Sequence, residues 1–158
     1  MSNVAWQNKK SLRVIDLLLK SYKNSYGKHL ILPSNNFSTQ ENHAFELYNL
    51  QNPVMAHNNA QEPCLSYANS AALELWKMSW SEMIGMPSSI TTPKNEQSER
   101  SKALSQATKN HAIENYQGIR VNSQGELFMI NNVRIWTMLD EEGHIFGQAA
   151  TFNSWWKI

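Results

Sequence analysis

Three polar side chains in the last third of the chain, Arg120, Asn132 and Gln148, have the chemistry to hold a polar ligand. They lie in three β-rich runs, 113–121, 127–139 and 145–152, divided by the turns Asn122-Ser-Gln-Gly125 and Asp140-Glu-Glu-Gly143. Such runs predict a three-stranded antiparallel meander. A strand shows alternate residues on opposite faces, so one face collects Tyr116, Gly118 and Arg120, then Phe128, Ile130, Asn132, Arg134 and Trp136, then Gln148, Ala150 and Phe152. A β-bulge anywhere in the meander would exchange the faces beyond it. Aromatics interspersed with a few polar groups are the usual lining of a small-molecule pocket. Arg120 is the most informative member. Pointing inward, its guanidinium needs an acceptor: an anionic or carbonyl-bearing ligand, an acidic neighbour such as Glu74 or Glu114, or solvent at the strand edge. Asn132 and Gln148 are open to two readings, because buried amides also satisfy backbone groups. Trp76, Trp80 and Trp136 can stack on a flat ligand or simply fill a core.

Other chemistries find less support. His29, His43, His57, His111 and His144 are scattered, with no metal-ligand spacing and no cysteine partner. Glycine-rich phosphate loops and the Gly-x-Ser-x-Gly elbow are absent, and no paired-carboxylate pattern is visible. Cys64 as a nucleophile would need a base and an oxyanion site that the sequence does not display. A non-enzyme is therefore expected, with a small α+β isomerase or lyase as the remaining catalytic alternative.

At 158 residues the chain has the length of one domain with a sizeable core. Charged residues are 17% and the net charge is +1, so nucleic acid or an acidic membrane is not expected as the main partner. A single cysteine excludes an internal disulfide and suits a reducing cytoplasm. The longest apolar run near the N-terminus, Leu17 to Leu19, falls far short of the roughly 20 residues that span a bilayer. A cytoplasmic location is the expectation.

The elements that must position the candidate residues read as follows. Leu12, Ile15, Leu18, Leu19 and Tyr22 recur at helical spacing, with Ser11 as a cap and Gly27 as a stop. This amphipathic helix either covers the domain's own sheet or packs on its twin in a homodimer. After a loop over 28–39, Ser38 or Thr39 can cap a second helix reaching about Asn49, broken by Asn52-Pro53. Val54 to Ala56 and Leu65 to Tyr67 form an opening strand pair. Asn69 or Ser70 then caps a short helix with Ala72, Leu75 and Trp76 on its apolar side. Ser79 and Glu82 have capping-box spacing, and Gly85 can end that turn in a left-handed conformation before Pro87. Over 96–111, Arg100, Ala103, Leu104 and Ala107 mark the narrow buried side of a longer surface helix.

Tyr67-Ala-Asn-Ser-Ala-Ala, Leu75 and Ser81-Glu-Met-Ile-Gly85 together resemble the opening of a PAS domain, where an asparagine follows the second strand and Glu-x-x-Gly closes the small helices. Over roughly residues 10 to 156 the chain looks like the bacterial stand-alone form of the MEKHLA domain, a PAS-like module also found at the C-terminus of plant homeodomain leucine-zipper regulators. The resemblance implies an α+β fold: a five-stranded antiparallel sheet over 53–158 with helices on one face, and a helical extension over 1–52. It implies that the face carrying Tyr116, Arg120, Phe128, Ile130, Asn132, Trp136, Gln148 and Phe152, together with Trp76, lines the ligand pocket. Light-sensing PAS domains carry an Asn-Cys-Arg-Phe-Leu-Gln type segment that is absent here, which argues against a flavin adduct. Haem-binding ones use a histidine on the long helix, where only His111 is near. No cofactor is named by these residues. Two departures stand out: Met78-Ser79 replaces the usual glycine region, and Asn153-Ser-Trp-Trp replaces the Asp-x-Thr ending of sensory PAS domains. With no kinase, cyclase or DNA-binding segment in this polypeptide, a signal is expected to leave through an effector protein. The reading is a small-ligand sensory module acting through that partner, with a ligand-free PAS fold serving dimerisation or protein interaction as the alternative.

Overall fold

A computed structural model of the chain describes residues 5–32 and 39–158. Ser38, one of the two expected caps of the second helix, lies outside the described residues. Helices α1 (Lys9–Tyr26) and α2 (Gln40–Tyr48) precede strands β1 (Val54–Asn58) and β2 (Leu65–Ala68). Short helices α3 (Ser70–Trp76) and α4 (Trp80–Met83) and the longer α5 (Gln97–Lys109) follow. Strands β3 (Ala112–Val121), β4 (Leu127–Leu139), β5 (Ile145–Thr151) and β6 (Ser154–Lys157) complete the chain. No described helix is long and apolar enough to cross a membrane.

Local chemistry sets most boundaries as the sequence reading expects. Gly27 ends α1 at φ 73°, Thr39 caps α2, and Ser79 and Glu82 form a reciprocal capping box on α4. The cap of α1 is a correction: Asn8, not Ser11, accepts the terminal amide, and Ser11 is the residue whose N–H it satisfies at 2.8 Å.

The sheet is antiparallel in the order β2-β1-β5-β4-β3, with β6 pairing β4. The expected five strands are therefore six. β5 holds Arg134 to Leu139 of β4, and β6 holds Phe128 to Asn131 along the same side, so β6 continues the line of β5 after the break at Phe152 and Asn153. That break lies opposite a bulge in β4, where Asn132 takes a φ of 55°. A second bulge in β3, at Asn115 with φ 63°, restores the pairing register. Asparagine is among the few side chains that tolerate this left-handed region.

The β4 bulge divides the sheet's apolar residues between two cores. Phe128 and Ile130 lie on the face packed by α3 and α5, with Trp76, Ala103 and Ala107. Beyond Asn132 the alternation slips by one, so Val133 and Ile135 join that core while Trp136 and Met138 turn to the opposite face. There α1 and α2 cover the sheet. Helices thus lie on both faces, rather than on one face plus an appended extension. The apolar stripe of α1 (Val14, Ile15, Leu18 and Tyr22) is buried in the chain itself, against Val54, Ala56, Trp136 and Ala149. Trp136 Nε1 donates to the Leu18 carbonyl at 3.1 Å, and Tyr22 meets the Trp136 ring edge-on at 4.9 Å. A dimer built on that stripe would have to displace this core.

Asn69, fully buried, ties the two layers together. Its Oδ1 accepts from Val54 N at 2.9 Å and Ala72 N at 3.1 Å, joining the start of β1 to the first turn of α3. Its Nδ2 donates to the carbonyls of Leu47 at 3.1 Å and Asn52 at 2.9 Å, at the end of α2. Removing the amide leaves several buried backbone groups unpaired, each costing about 1–3 kcal/mol. Asn69→Ala is expected to lower the unfolding free energy by about 3 kcal/mol or more in urea titrations. Asn69→Asp keeps the acceptor but sets a charge against carbonyl oxygens, and is expected to be no more stable than the alanine variant.

Candidate functional site

On the α5 side of the sheet, a cavity of about 60 Å³ opens between the strands and the helices. Its apolar wall comes from Met55, Leu65, Ile130, Val133, Ile135 and Phe152, with Trp76 of α3 closing one end. Its polar groups are Arg100 and Arg120, with Ser88, Thr91, His57 and Gln148. Edge-on contacts of Trp76 with Phe128 at 5.1 Å and Phe152 at 6.3 Å fix the indole. The Trp76 Nε1 is buried and has no hydrogen-bond partner among the described residues.

The two arginines arrive from opposite walls. Arg120 is 6% exposed and is held by β3. Its Nη1 donates to its neighbour's carbonyl, Ile119 O, at 2.9 Å, and Nη2 reaches the Tyr116 hydroxyl at 3.4 Å. The Tyr116 hydroxyl in turn donates to Glu99 Oε2 at 2.7 Å. Burial, opposed by the Arg120 charge, raises the pKa of that phenol, so it stays protonated. Gly118 makes this arrangement possible. A Cβ there would stand 2.5 Å from the Tyr116 hydroxyl oxygen and 2.9 Å from Arg120 Nη1, so only glycine lets both side chains fold across the strand. Arg100 descends from α5, and its Nη2 donates to Ser88 Oγ at 3.0 Å. Burial and the Arg120 charge push the Arg100 pKa down to about 10. Neither arginine makes an ion pair among the described residues, and neither Glu74 nor Glu114 serves Arg120: Glu114 sits 3.8 Å from Arg134 on the other face.

Gln148 and His57 stand differently. The Gln148 amide is committed to α5, donating to Leu104 O at 2.9 Å and Thr108 Oγ1 at 3.1 Å. Burial lowers the His57 pKa, keeping the ring neutral near pH 7; its Nδ1 is engaged with Asn58 O at 2.9 Å.

Of the residues the sequence brings forward, Arg120, Ile130, Gln148, Phe152 and Trp76 line the cavity, and Tyr116 and Phe128 brace Arg120 and Trp76 from beside it. Asn132 and Trp136 do not. The bulge leaves Asn132 exposed and sends Trp136 into the α1 core. Arg100 lines the cavity too, although the sequence marks it only as part of the narrow buried side of a surface helix and not as a site residue. Its signal is visible in retrospect, because it shares the i, i+3, i+4, i+7 stripe with Ala103, Leu104 and Ala107, and a cation in a buried stripe calls for explanation. Ser88, Met55 and His57 carried no comparable signal. Cys64 and His111 lie outside the cavity wall, Cys64 beside Pro87 and His111 in a groove against α1. No group of three or more metal-ligating side chains is gathered among the described residues.

This arrangement, a twisted antiparallel sheet with a cavity between its central strands and flanking helices, is that of a PAS domain. A PAS domain from Colwellia psychrerythraea is similar in fold, with a TM-score of 0.65 over 72% of this chain and 94% of that one, at 12% identity. A light-oxygen-voltage domain from a flavin-analogue study matches at a TM-score of 0.57 and 14% identity over 75% of this chain and 84% of that one. An RNA-binding light-oxygen-voltage receptor matches at 0.62 and 14% identity over 78% of this chain and 36% of that one. Among curated proteins none matches the sequence. The family model of the MEKHLA domain matches residues 12–157, and the chain belongs to that family.

Two like charges facing one cavity without a directly paired carboxylate carry a desolvation cost that a well-packed apolar side chain would not. In the ligand-free chain, refolded from denaturant, Arg100→Met is expected to raise stability by about 1–2 kcal/mol, read as a higher midpoint in urea.

Proposed function

We propose that the chain is a sensory module that binds a small molecule in the cavity beneath α5 and reports its occupancy to an effector protein in the cytoplasm. The observation that carries this reading is the cavity itself, walled mostly by apolar side chains and bordered by Trp76, whose buried N–H has no partner among the described residues. A core shaped for packing alone would leave neither the space nor the unpaired donor. The route outward is short. Ile135 of β4 lines the cavity, and the next residue, Trp136, holds the Leu18 carbonyl of α1 on the reverse face. A ligand that favours one placement of β4 therefore acts on α1, provided that its affinity differs between the two placements.

A specific observation favours the alternative, a fold used for association. Trp155 is 39% exposed and Trp156 46%, both on β6, and Ile158 just after it is 66% exposed. The two readings are compatible if this strand is where the effector, or a second copy, docks. A catalytic reading would need ionisable groups poised in the cavity, whose titratable lining is two arginines and a neutral histidine.

Native mass spectrometry of the protein purified from its own host tests the proposal: a stoichiometric small molecule, released on denaturation, is the expected result. Ala150, at the cavity wall, provides the control. Ala150→Leu fills the space and is expected to abolish the bound mass while the chain stays folded by circular dichroism. A wild-type protein that is ligand-free and also unresponsive to a metabolite library would leave association as the function.

A further inference from the structure

We infer that the cavity takes a short-chain organic monocarboxylate, its carboxylate held between Arg100 and Arg120 and its small apolar body against Ile130, Val133 and Phe152. This rests on the small-ligand reading above and names the ligand class. The argument begins with spare donors. Each guanidinium offers five N–H groups, yet Arg120 spends two contacts on Ile119 O and Tyr116 Oη, and Arg100 one on Ser88 Oγ. Arg120 is buried and Arg100 half-buried, and guanidinium groups with unspent donors at a cavity wall are the planar, bidentate partners that a carboxylate matches.

Charge sets the valence. Glu99 reaches this pair only through the Tyr116 hydroxyl, at 2.7 Å from it, and offsets one of the two positive charges. One remains for the ligand to neutralise, which suits a monoanion. Size sets the body. A cavity of about 60 Å³ has room for on the order of five non-hydrogen atoms, taking about 10–15 Å³ for each water-sized position. An isoalloxazine or a haem is several times too large. The apolar wall excludes the other small anions: phosphate or sulfate would turn oxygens toward Ile130, Val133 and Phe152 without hydrogen bonds.

Calorimetric titration of the full chain with acetate, propionate and butyrate tests the inference, with propionamide, 1-propanol and inorganic phosphate alongside. The indole N–H resonance of Trp76 in ¹⁵N spectra serves as an independent marker of cavity occupancy. Saturable binding of at least one carboxylate, tenfold or more tighter than propionamide, with movement of the Trp76 resonance, is the expected result. Arg100→Met and Arg120→Met should each weaken that binding tenfold or more, and Arg100→Lys should recover part of it. If Arg120→Met fails to fold, the two Arg100 variants decide the matter. Propionamide or propanol binding as well as the acid overturns the anion assignment while leaving the small-ligand reading intact. Phosphate binding as tightly as the acids overturns the organic assignment. Absence of binding by all six, with the Trp76 resonance unmoved, overturns the carboxylate class; the small-ligand reading then stands or falls on the mass-spectrometric result.

Discussion

One buried amide governs how this chain is assembled. Asn69 stands where α2 ends, β1 begins and α3 starts, and its single side chain supplies both the acceptor and the donors those three places lack. The first turn of a helix and the first amide of a strand each expose unpaired backbone groups, and water is excluded at this point. Aspartate lacks the donors and serine the reach, so asparagine is the residue that closes the account. Because Asn69 fixes α3 relative to β1, it also fixes Trp76 at the far end of α3, and with it one wall of the cavity.

How much of this is written legibly in the sequence depends on whether the signal is local. The caps at Asn69 and Ser79, the stops at Gly27 and Gly85 and the turns between the last strands follow from the residues beside them, and the structure keeps each. The PAS resemblance is confirmed at the level of family and fold. The failure occurs in the middle of β4. Strict alternation puts Asn132 and Trp136 with Ile130, yet one left-handed residue at Asn132 shifts everything after it to the opposite face. The doublet Asn131-Asn132 inside a mostly apolar strand is the trace such a bulge leaves. Asn115 in β3 is its counterpart. The sixth strand has no separate signal in the sequence, because β6 is the same line of sheet as β5, restarted after Phe152 turns inward to the cavity.

Gln148 and Arg120 show why a polar residue on an inward face does not announce its role. From sequence the two invited the same pair of readings. Folded, Gln148 donates to Leu104 and Thr108 and is consumed in holding α5 to the sheet. Arg120 ends beside a second arginine, braced by Tyr116 over a glycine, with the Glu99 carboxylate reached only through the Tyr116 hydroxyl. The difference arises from the partner helix: α5 brings a carbonyl and a hydroxyl to one and a like charge to the other. Stability alone favours an apolar pair at the second place, so the arrangement violates one folding rule at one position, where function is the usual reason.

The order of strands also places a demand on the chain as it is made. The stripe of α1 is translated first, but part of the surface that buries it belongs to β4 and β5; Leu18 and its partner Trp136 are 118 residues apart. At ribosomal speeds of about 5–20 residues per second, those apolar side chains wait on the order of ten seconds before their sheet is complete. β1 waits as well, since its second neighbour is β5. The last strands to emerge therefore close both cores at once, and until then the apolar stripe of α1 is only partly covered, a natural substrate for chaperones.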